Sequence, residues 1–221
     1  MLPILGSQEV LLCTMADRKS HWEQVYGTKQ AHEVSWTQDI PQTSLDFIHK
    51  MNLPKEVSII DIGGGDSKLV DHLLREGFTD ITVLDISETA IERAKARLGA
   101  TDAGKINWIV SDILDFQPER RYDLWHDRAA FHFMTTQTEI DTYLNIARSA
   151  AGRFVIMGTF SDSGPLKCSM LEVHRYSNTE LKETLERDFE NIECINANHI
   201  TPFQTVQNFT FCSFRRRNQA A

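Results

Sequence analysis

The feature that most constrains this chain is an apolar run that leads directly into three glycines. Residues 57–62 have the composition of a buried β-strand, and Gly63, Gly64 and Gly65 follow at once. A strand inside a sheet needs bulky side chains, whereas a turn that brings backbone close to a ligand needs residues without a Cβ atom. The stretch therefore predicts a central strand, a ligand-binding turn and a following helix.

Strand-like and helix-like segments alternate along most of the chain. Strand-like segments begin near residues 57, 81, 106, 122 and 154, and helical spacing separates most of them. Such alternation predicts a parallel sheet with right-handed crossovers and helices on both faces. The helix after the second strand is expected to run from a Ser87 cap to Gly99.

The last part of the chain departs from this alternation. A helix is predicted to open at Ser177, and two strand-like segments, 192–195 and 209–214, follow with only a loop between them. These two segments predict an antiparallel hairpin. The expected fold is α/β, a doubly wound, Rossmann-like, mostly parallel seven-stranded sheet with a C-terminal antiparallel hairpin and an N-terminal helical lid.

Length and charge limit the classes of protein to which the chain could belong. With 221 residues, we expect one domain over residues 21–217 and a flexible extension over residues 1–20. The first residues do not read as a secretion signal, because a basic start is missing and Glu9 interrupts the apolar run. No apolar stretch is long enough to span a membrane. The net charge of −8 argues against nucleic acid as a partner.

The cysteines give no metal-ligand or disulfide pattern. They are scattered and lack Cys-x-x-Cys spacing, at Cys13, Cys168, Cys194 and Cys212. This usage is typical of reduced, buried thiols, and we therefore expect a cytoplasmic protein without a metal site.

Three carboxylates narrow the choice of cofactor. Asp61 precedes the glycines, Asp85 ends the second strand and Asp112 ends the third. An acid about 20 residues after the turn can bind a ribose, as in nicotinamide enzymes, but Asp61 would repel a pyrophosphate at the turn. S-adenosylmethionine (SAM) has no phosphate and carries a positive amino-acid end. The three acids therefore favour SAM over a dinucleotide.

These segments resemble the cofactor motifs of class I, or seven-β-strand, SAM-dependent methyltransferases of the type 12-like kind, over roughly residues 22–215. The resemblance implies that Asp61 and the glycines border the methionine part of SAM, that Asp85 binds the ribose and that Asp112 faces adenine. It extends to neighbouring positions in the same motifs, namely Ser67, Ile86, Ser111, Ile113 and His126.

The end of the fourth strand is expected to meet the methyl acceptor. His126 and His132 are candidate catalytic bases, since imidazole changes charge near neutral pH. Either histidine could instead be a packed, hydrogen-bonded residue. Arg128 could hold a substrate carboxylate through its planar fork or pair with Asp127.

Aromatic residues before the first strand predict a lid over the sulfonium. Trp22, Tyr26 and Trp36 could attract the positive sulfur and exclude water, and they resemble N-terminal elements of thiol and protein-lysine methyltransferases. They could equally dock the first helix onto the core. Trp36 and Tyr176 are also predicted to line the acceptor site.

The sequence thus predicts a SAM-dependent methyltransferase, with S-adenosylhomocysteine (SAH) as product and a small molecule as acceptor. A protein lysine remains open as acceptor, because the acidic charge would suit a basic protein. A SAM-binding protein without turnover and a nicotinamide oxidoreductase are the other two hypotheses.

Overall fold

The computed structural model describes residues 15–217. Within this range one seven-stranded sheet has helices on both faces, as the alternation predicts. The helices are α1 (Met15–Thr28), α2 (Gln42–Lys50), α3 (Leu69–Arg75), α4 (Glu88–Ala103), α5 (Gln137–Ala150) and α6 (Asn178–Leu185). The strands are β1 (Ser58–Ile62), β2 (Asp80–Asp85), β3 (Ile106–Val110), β4 (Tyr122–Arg128), β5 (Ala151–Phe160), β6 (Lys167–Cys168), β7 (Leu171–Glu172), β8 (Phe189–Ile200) and β9 (Val206–Arg216).

The strand order in the large sheet is β3-β2-β1-β4-β5-β9-β8. Strands β1 to β5 pair in parallel, and β9 pairs antiparallel with both β5 and β8. The expected doubly wound fold with a terminal antiparallel hairpin is therefore confirmed. Strands β6 and β7 form a separate two-stranded pair that the sequence did not predict.

Alternation along the central strands divides the core into two layers. Ile59 packs toward α2 and α3, whereas Ile60 and Ile62 pack toward α5 and α6. Because side chains in a strand point alternately to opposite faces, Asp61 shares the α2 side with Ile59. Parallel register pairs Asp61 with His126 on β4, so that both polar residues lie on that face.

Several boundaries differ from prediction for local reasons. Helix α1 begins at Met15, so residues 15–20 of the expected extension are helical; residues 1–14 lie outside the described range. Helix α4 begins after the Ser87 cap as predicted, with Ser87 Oγ accepting from the Ala90 N–H. It continues past Gly99, which forms a kink at a φ of 77°, and it ends at Ala103.

The prediction of reduced cysteines is wrong for one pair. Cys194 on β8 lies directly opposite Cys212 on β9, and the two form a disulfide. Hairpin register brings them together, which a separation of 18 residues in the sequence did not indicate. Cys168 is a free, buried thiol. Cys13 lies outside the described residues.

Two further observations concern the part of the chain that the structure describes. It contains no helix both long and apolar enough to cross a bilayer. Residues 15–217 also contain no group of three His, Cys, Asp or Glu side chains arranged to hold a metal ion.

We expect the substitution Ile60→Ala to destabilise the protein strongly. Ile60 is fully buried in the central strand, and removing such a side chain leaves a cavity that costs about 2–5 kcal/mol. Ile200→Ala is the matched control, because its side chain is 64% exposed and its loss should cost less than about 0.5 kcal/mol. Urea unfolding measures both, and equal losses would contradict the assignment of Ile60 to the core.

Candidate functional site

A deep cavity lies at the carboxyl ends of β1 to β4, beneath α1 and the segment around Trp36. The empty space between its walls, including the part that is open to solvent, is about 1310 Å³. Ligands of open α/β sheets bind at this edge, where strand ends and loops leave a crevice. The predicted cofactor residues that line it are Trp22, Tyr26, Trp36, Asp61, Gly63, Gly64, Ser67, Asp85, Ile86, Ser111, Asp112, Ile113 and His126.

At the glycine turn the backbone lies so close to neighbouring residues that a side chain would not fit. Gly63 has a φ of 65°, and its N–H donates to the carbonyl of Leu84 at 2.8 Å. Gly65 does not line the cavity but lies behind it. A Cβ atom on Gly65 would lie 2.6 Å from an oxygen of Asp85, so only glycine fits beside this carboxylate.

Asp61 is buried directly beside the turn. A Cβ atom on Gly64 would lie 2.7 Å from Asp61 Oδ2, which shows how close this oxygen is to the turn backbone. A phosphate bound at the turn would therefore face a carboxylate at short range. The geometry agrees with the sequence argument that this turn does not suit a dinucleotide.

A chain of hydrogen bonds links Asp61, His126 and Ser44. His126 Nδ1 donates to Asp61 Oδ1 at 2.6 Å, because a carboxylate only accepts. His126 Nε2 lies 2.9 Å from the Ser44 hydroxyl on α2, from which a neutral imidazole accepts. All three residues are buried and line the cavity. The hydrogen bonds at both ring nitrogens fix the orientation of the imidazole at the cavity wall.

Asp85 is buried at the end of β2 and forms no ion pair with any of residues 15–217. Burial, reinforced by the charges of Asp61 and Glu23, raises the pKa of Asp85 to about 7, although the Ser87 N–H opposes the shift by donating at 2.8 Å. Near neutral pH this carboxyl group therefore exists in both charge states. A ligand hydroxyl that donates to it would favour the ionised state.

Helix α1 is fixed across the cavity by polar contacts at two positions. Glu23 accepts from the N–H groups of Glu88 at 2.6 Å and Thr89 at 3.2 Å, and so caps the start of α4. Arg18 Nη1 lies 3.4 Å from Asp112 Oδ2, and its Nη2 contacts Glu139. The predicted lid is thus attached on both sides of the cavity.

Aromatic rings form the inner surface of this lid. Trp22 packs edge-on against Trp36 and Phe133, with ring centroids 5.6 Å and 5.2 Å apart. Tyr26 completes the cluster at 6.2 Å from Trp22. Aromatic faces attract cations, and this cluster also closes the cavity to water on one side.

Arg128 is held at the end of β4 by two contacts. Its Nη1 donates to the carbonyl of Trp36 at 3.0 Å, and its guanidinium lies 5.2 Å from the ring centroid of Phe209. Burial lowers the pKa of Arg128 to about 10, which still leaves it charged at neutral pH. It does not pair with Asp127, whose carboxylate accepts from Tyr143 and two backbone N–H groups instead.

The structure does not bring His132 to the cavity. A short 3₁₀ turn, Phe131–Phe133, directs the imidazole toward β5, where Nδ1 accepts from the Phe160 N–H at 3.3 Å. Burial and the charge of Arg128 lower the pKa of His132 to about 3. The prediction of a catalytic base at His132 is therefore corrected to a packed, neutral side chain.

Tyr176 also lies outside the cavity. Its ring stacks on Phe131 with centroids 5.2 Å apart, in the core layer beneath α5 and α6. It faces the side of the sheet opposite Asp61 and His126, so the prediction that Tyr176 contacts the acceptor is corrected.

Among the cavity residues that were not predicted are Arg18, Ser44 and Cys168. Arg18 lies four residues before Trp22 and eight before Tyr26, and this helical spacing could have extended the lid toward the N-terminus. Ser44 lies in the first turn of α2, and no local sequence signal marks it as a site residue. Cys168 enters through the unpredicted β6–β7 pair, and no sequence signal indicates it.

The comparisons with known proteins agree with this fold. A family model described as a methyltransferase domain matches residues 59–151. Malonyl-[acyl-carrier protein] O-methyltransferase 1 of Ilyobacter polytropus is 29% identical over 117 residues, which are 52% of this chain and 42% of that protein. EEF1A lysine methyltransferase 2 of Mus musculus is 26% identical over 105 residues, 44% of this chain and 43% of that protein.

A solved structure, Burkholderia thailandensis 1,6-didemethyltoxoflavin-N1-methyltransferase with bound 1,6-didemethyltoxoflavin and SAH, has a TM-score of 0.71 at 15% identity. The alignment covers 99% of this chain and 93% of that one. At this identity the likeness concerns the fold alone. The matches to the two curated relatives span about two fifths of those proteins' own length.

We expect Asp85 to make the unliganded protein less stable as pH rises. The pKa of Asp85 is about 7 in the folded protein, above its ordinary value of 3.8. Such a group makes its full contribution to stability only at pH values below the ordinary pKa. The contribution is lost as pH rises from about 4 to about 7. Asp85→Asn removes this dependence, so the variant should gain stability relative to wild type between pH 5 and pH 8.

Urea unfolding at pH 5 and pH 8 measures the free energy of unfolding of wild type and Asp85→Asn. Asp102→Asn is the matched control, because Asp102 is half exposed on α4 and pairs with Lys105 at the surface. Parallel stability curves for wild type and Asp85→Asn would contradict the raised pKa of Asp85.

Proposed function

We propose, from the premise that this chain contains a class I SAM-dependent methyltransferase domain, that the protein transfers a methyl group from SAM to a small-molecule acceptor. The observation that carries the proposal is the order of polar groups along the sheet edge. Asp112 follows β3, Asp85 ends β2, the glycine turn follows β1, and His126 and Arg128 end β4. These strands are neighbours, so the groups form one row beneath the lid.

Each group in the row suits one part of the cofactor. Asp85 would accept from ribose hydroxyls, and Asp112 and Ile113 would lie at the adenine end. Asp61 Oδ2, which His126 leaves free, would accept from the positive amino group beside the glycine turn. Trp22 and Trp36 would face the sulfonium. When bound, SAM supplies a methyl group on a positively charged sulfur atom.

The protein's part in such a displacement is to hold the nucleophile in line and to exclude water. The aromatic lid supports both tasks. Where the acceptor is an amine, thiol or hydroxyl, it also loses a proton. His126 Nε2 would receive this proton, directly or through the Ser44 hydroxyl, while Asp61 stabilises the resulting imidazolium.

Protein lysine is the second candidate acceptor. The net charge of −8 favours encounter with a basic protein, and the mouse relative is named as a lysine methyltransferase. The malonyl-[acyl-carrier protein] relatives act, by their names, on an acyl group carried by a protein. The aromatic walls of the cavity support the small acceptor as the first choice.

The first experiment is calorimetric titration with SAM, SAH and NAD. We expect SAM and SAH to bind and NAD to give no heat; no heat with SAM would overturn the proposal. Labelled methyl transfer from SAM into cell extract then distinguishes the acceptors. Label in the low-molecular-weight fraction favours the first candidate and label in protein the second, whereas SAM binding without transfer indicates a non-catalytic SAM-binding protein.

We expect Asp85→Asn to weaken SAH binding about 10- to 100-fold, since hydrogen bonds to a charged group are worth about 1.5–3 kcal/mol. Wild-type affinity should also rise with pH through about 7, as Asp85 ionises, and the variant should lose this dependence. Asp102→Asn should bind SAH like wild type. Calorimetry measures all three proteins, and an unchanged affinity in Asp85→Asn would refute its ribose role.

We expect His126→Gln to lower kcat about 10²- to 10⁴-fold, the usual contribution of a general base, with little change in SAH affinity. His49→Gln is the control, because the His49 side chain on α2 is half exposed and does not line the cavity. An unchanged kcat in His126→Gln would assign the base elsewhere.

A further inference from the structure

The guanidinium of Arg128 has hydrogen-bonding capacity that no described residue uses. Its Nη2 atom is buried and lacks a hydrogen-bond partner, although Nη1 is engaged by the Trp36 carbonyl. None of the ion pairs among residues 15–217 involves Arg128. A buried, charged donor without a partner is costly, and a bound ligand, ion or water is a common source of the missing acceptor.

The groups around Arg128 do not neutralise it. His132 and His199 lie near enough for its charge to lower the pKa of both imidazoles, which favours their neutral forms. Burial keeps the nearby Cys168 as a thiol, with its pKa raised to about 12. Asp61 attracts Arg128 at longer range, but Oδ1 of this carboxylate is already held by His126.

The position of Arg128 points to the acceptor and not to the adenosine. It is the last residue of β4, which lies on the far side of β1 from Asp85 and Asp112. The Trp36 carbonyl and the Phe209 ring fix the guanidinium in place, so its remaining N–H groups are oriented before a ligand arrives. A planar, fixed fork of this kind matches a carboxylate.

We propose that Arg128 Nη2 binds a carboxylate of the methyl acceptor, so that the acceptors are small organic acids with an apolar or aromatic body. The proposal rests on the proposed function and narrows its substrate class. The aromatic walls from Trp22, Trp36 and Phe133 would contact the acceptor's body. The methionine carboxylate of the cofactor has the same chemistry, and the experiment distinguishes the two sources.

The test uses the full chain saturated with SAH and two pairs of probes, phenylacetate with phenylacetamide and succinate with succinamide. Calorimetry should give at least one acid that binds about 10-fold or more tightly than its neutral amide, as expected for a charge-assisted hydrogen bond. In Arg128→Gln that preference should disappear. Arg153→Gln, half exposed at the opposite end of the sheet, should keep it.

A second measurement examines the cofactor's own carboxylate. Binding of SAH and of 5′-methylthioadenosine, which lacks the amino-acid end, is compared in wild type and Arg128→Gln. We expect both affinities to be unchanged by the substitution. A loss confined to SAH would assign Arg128 to the cofactor and overturn the acceptor assignment.

The outcomes separate this inference from the proposed function. If SAH binds but wild type prefers neither acid over its amide, the inference is wrong and the proposed function stands. If SAH does not bind, the proposed function itself fails. Arg128→Lys covers the possibility that Arg128→Gln does not fold, because it keeps the charge without the planar fork and should retain only part of the acid preference.

Discussion

Desolvation of charge at the strand ends is the constraint on which this site depends. Asp61, Asp85 and the Nη2 atom of Arg128 are removed from water at one edge of the sheet, and neither Asp85 nor Arg128 forms an ion pair with any of residues 15–217. The hydrophobic core beneath this edge offsets the desolvation free energy, because Ile59, Ile60 and their neighbours are fully buried on both faces of the sheet. The edge is therefore electrostatically incomplete without a ligand, which is typical of a binding site.

Register explains why these charges meet. The parallel pairing of β1 with β4 sets Asp61 opposite His126, and the alternation of side chains turns both toward α2. Asp127, one residue along β4, points to the other face and joins Tyr143 in a structural network. His126 and Asp127, neighbours on β4, thus belong to the site and to the core respectively. A shift of the strand register by one residue would exchange the faces that they point to.

Local pattern was sufficient for the elements and for most of the polar residues that line the cavity at the sheet edge. Apolar runs, helical spacing and the glycine turn gave the order of strands and helices, because hydrophobic periodicity reflects burial directly. Polar residues at strand ends were predictable, since all parallel strands end at one edge. His132 and Tyr176 were misassigned, because the direction of a side chain after a 3₁₀ turn or a long loop depends on packing.

By itself, then, the sequence determined the α/β sheet, the ligand turn and the acids at the ends of β1, β2 and β3, since each follows from burial and strand polarity. Only the tertiary structure decided the partners of those groups. The Ser44–His126–Asp61 chain, the Arg18 contact with Asp112 and the Arg128 hydrogen bond to Trp36 each join segments far apart in the sequence. Such contacts depend on how elements pack in three dimensions, and no local pattern records them.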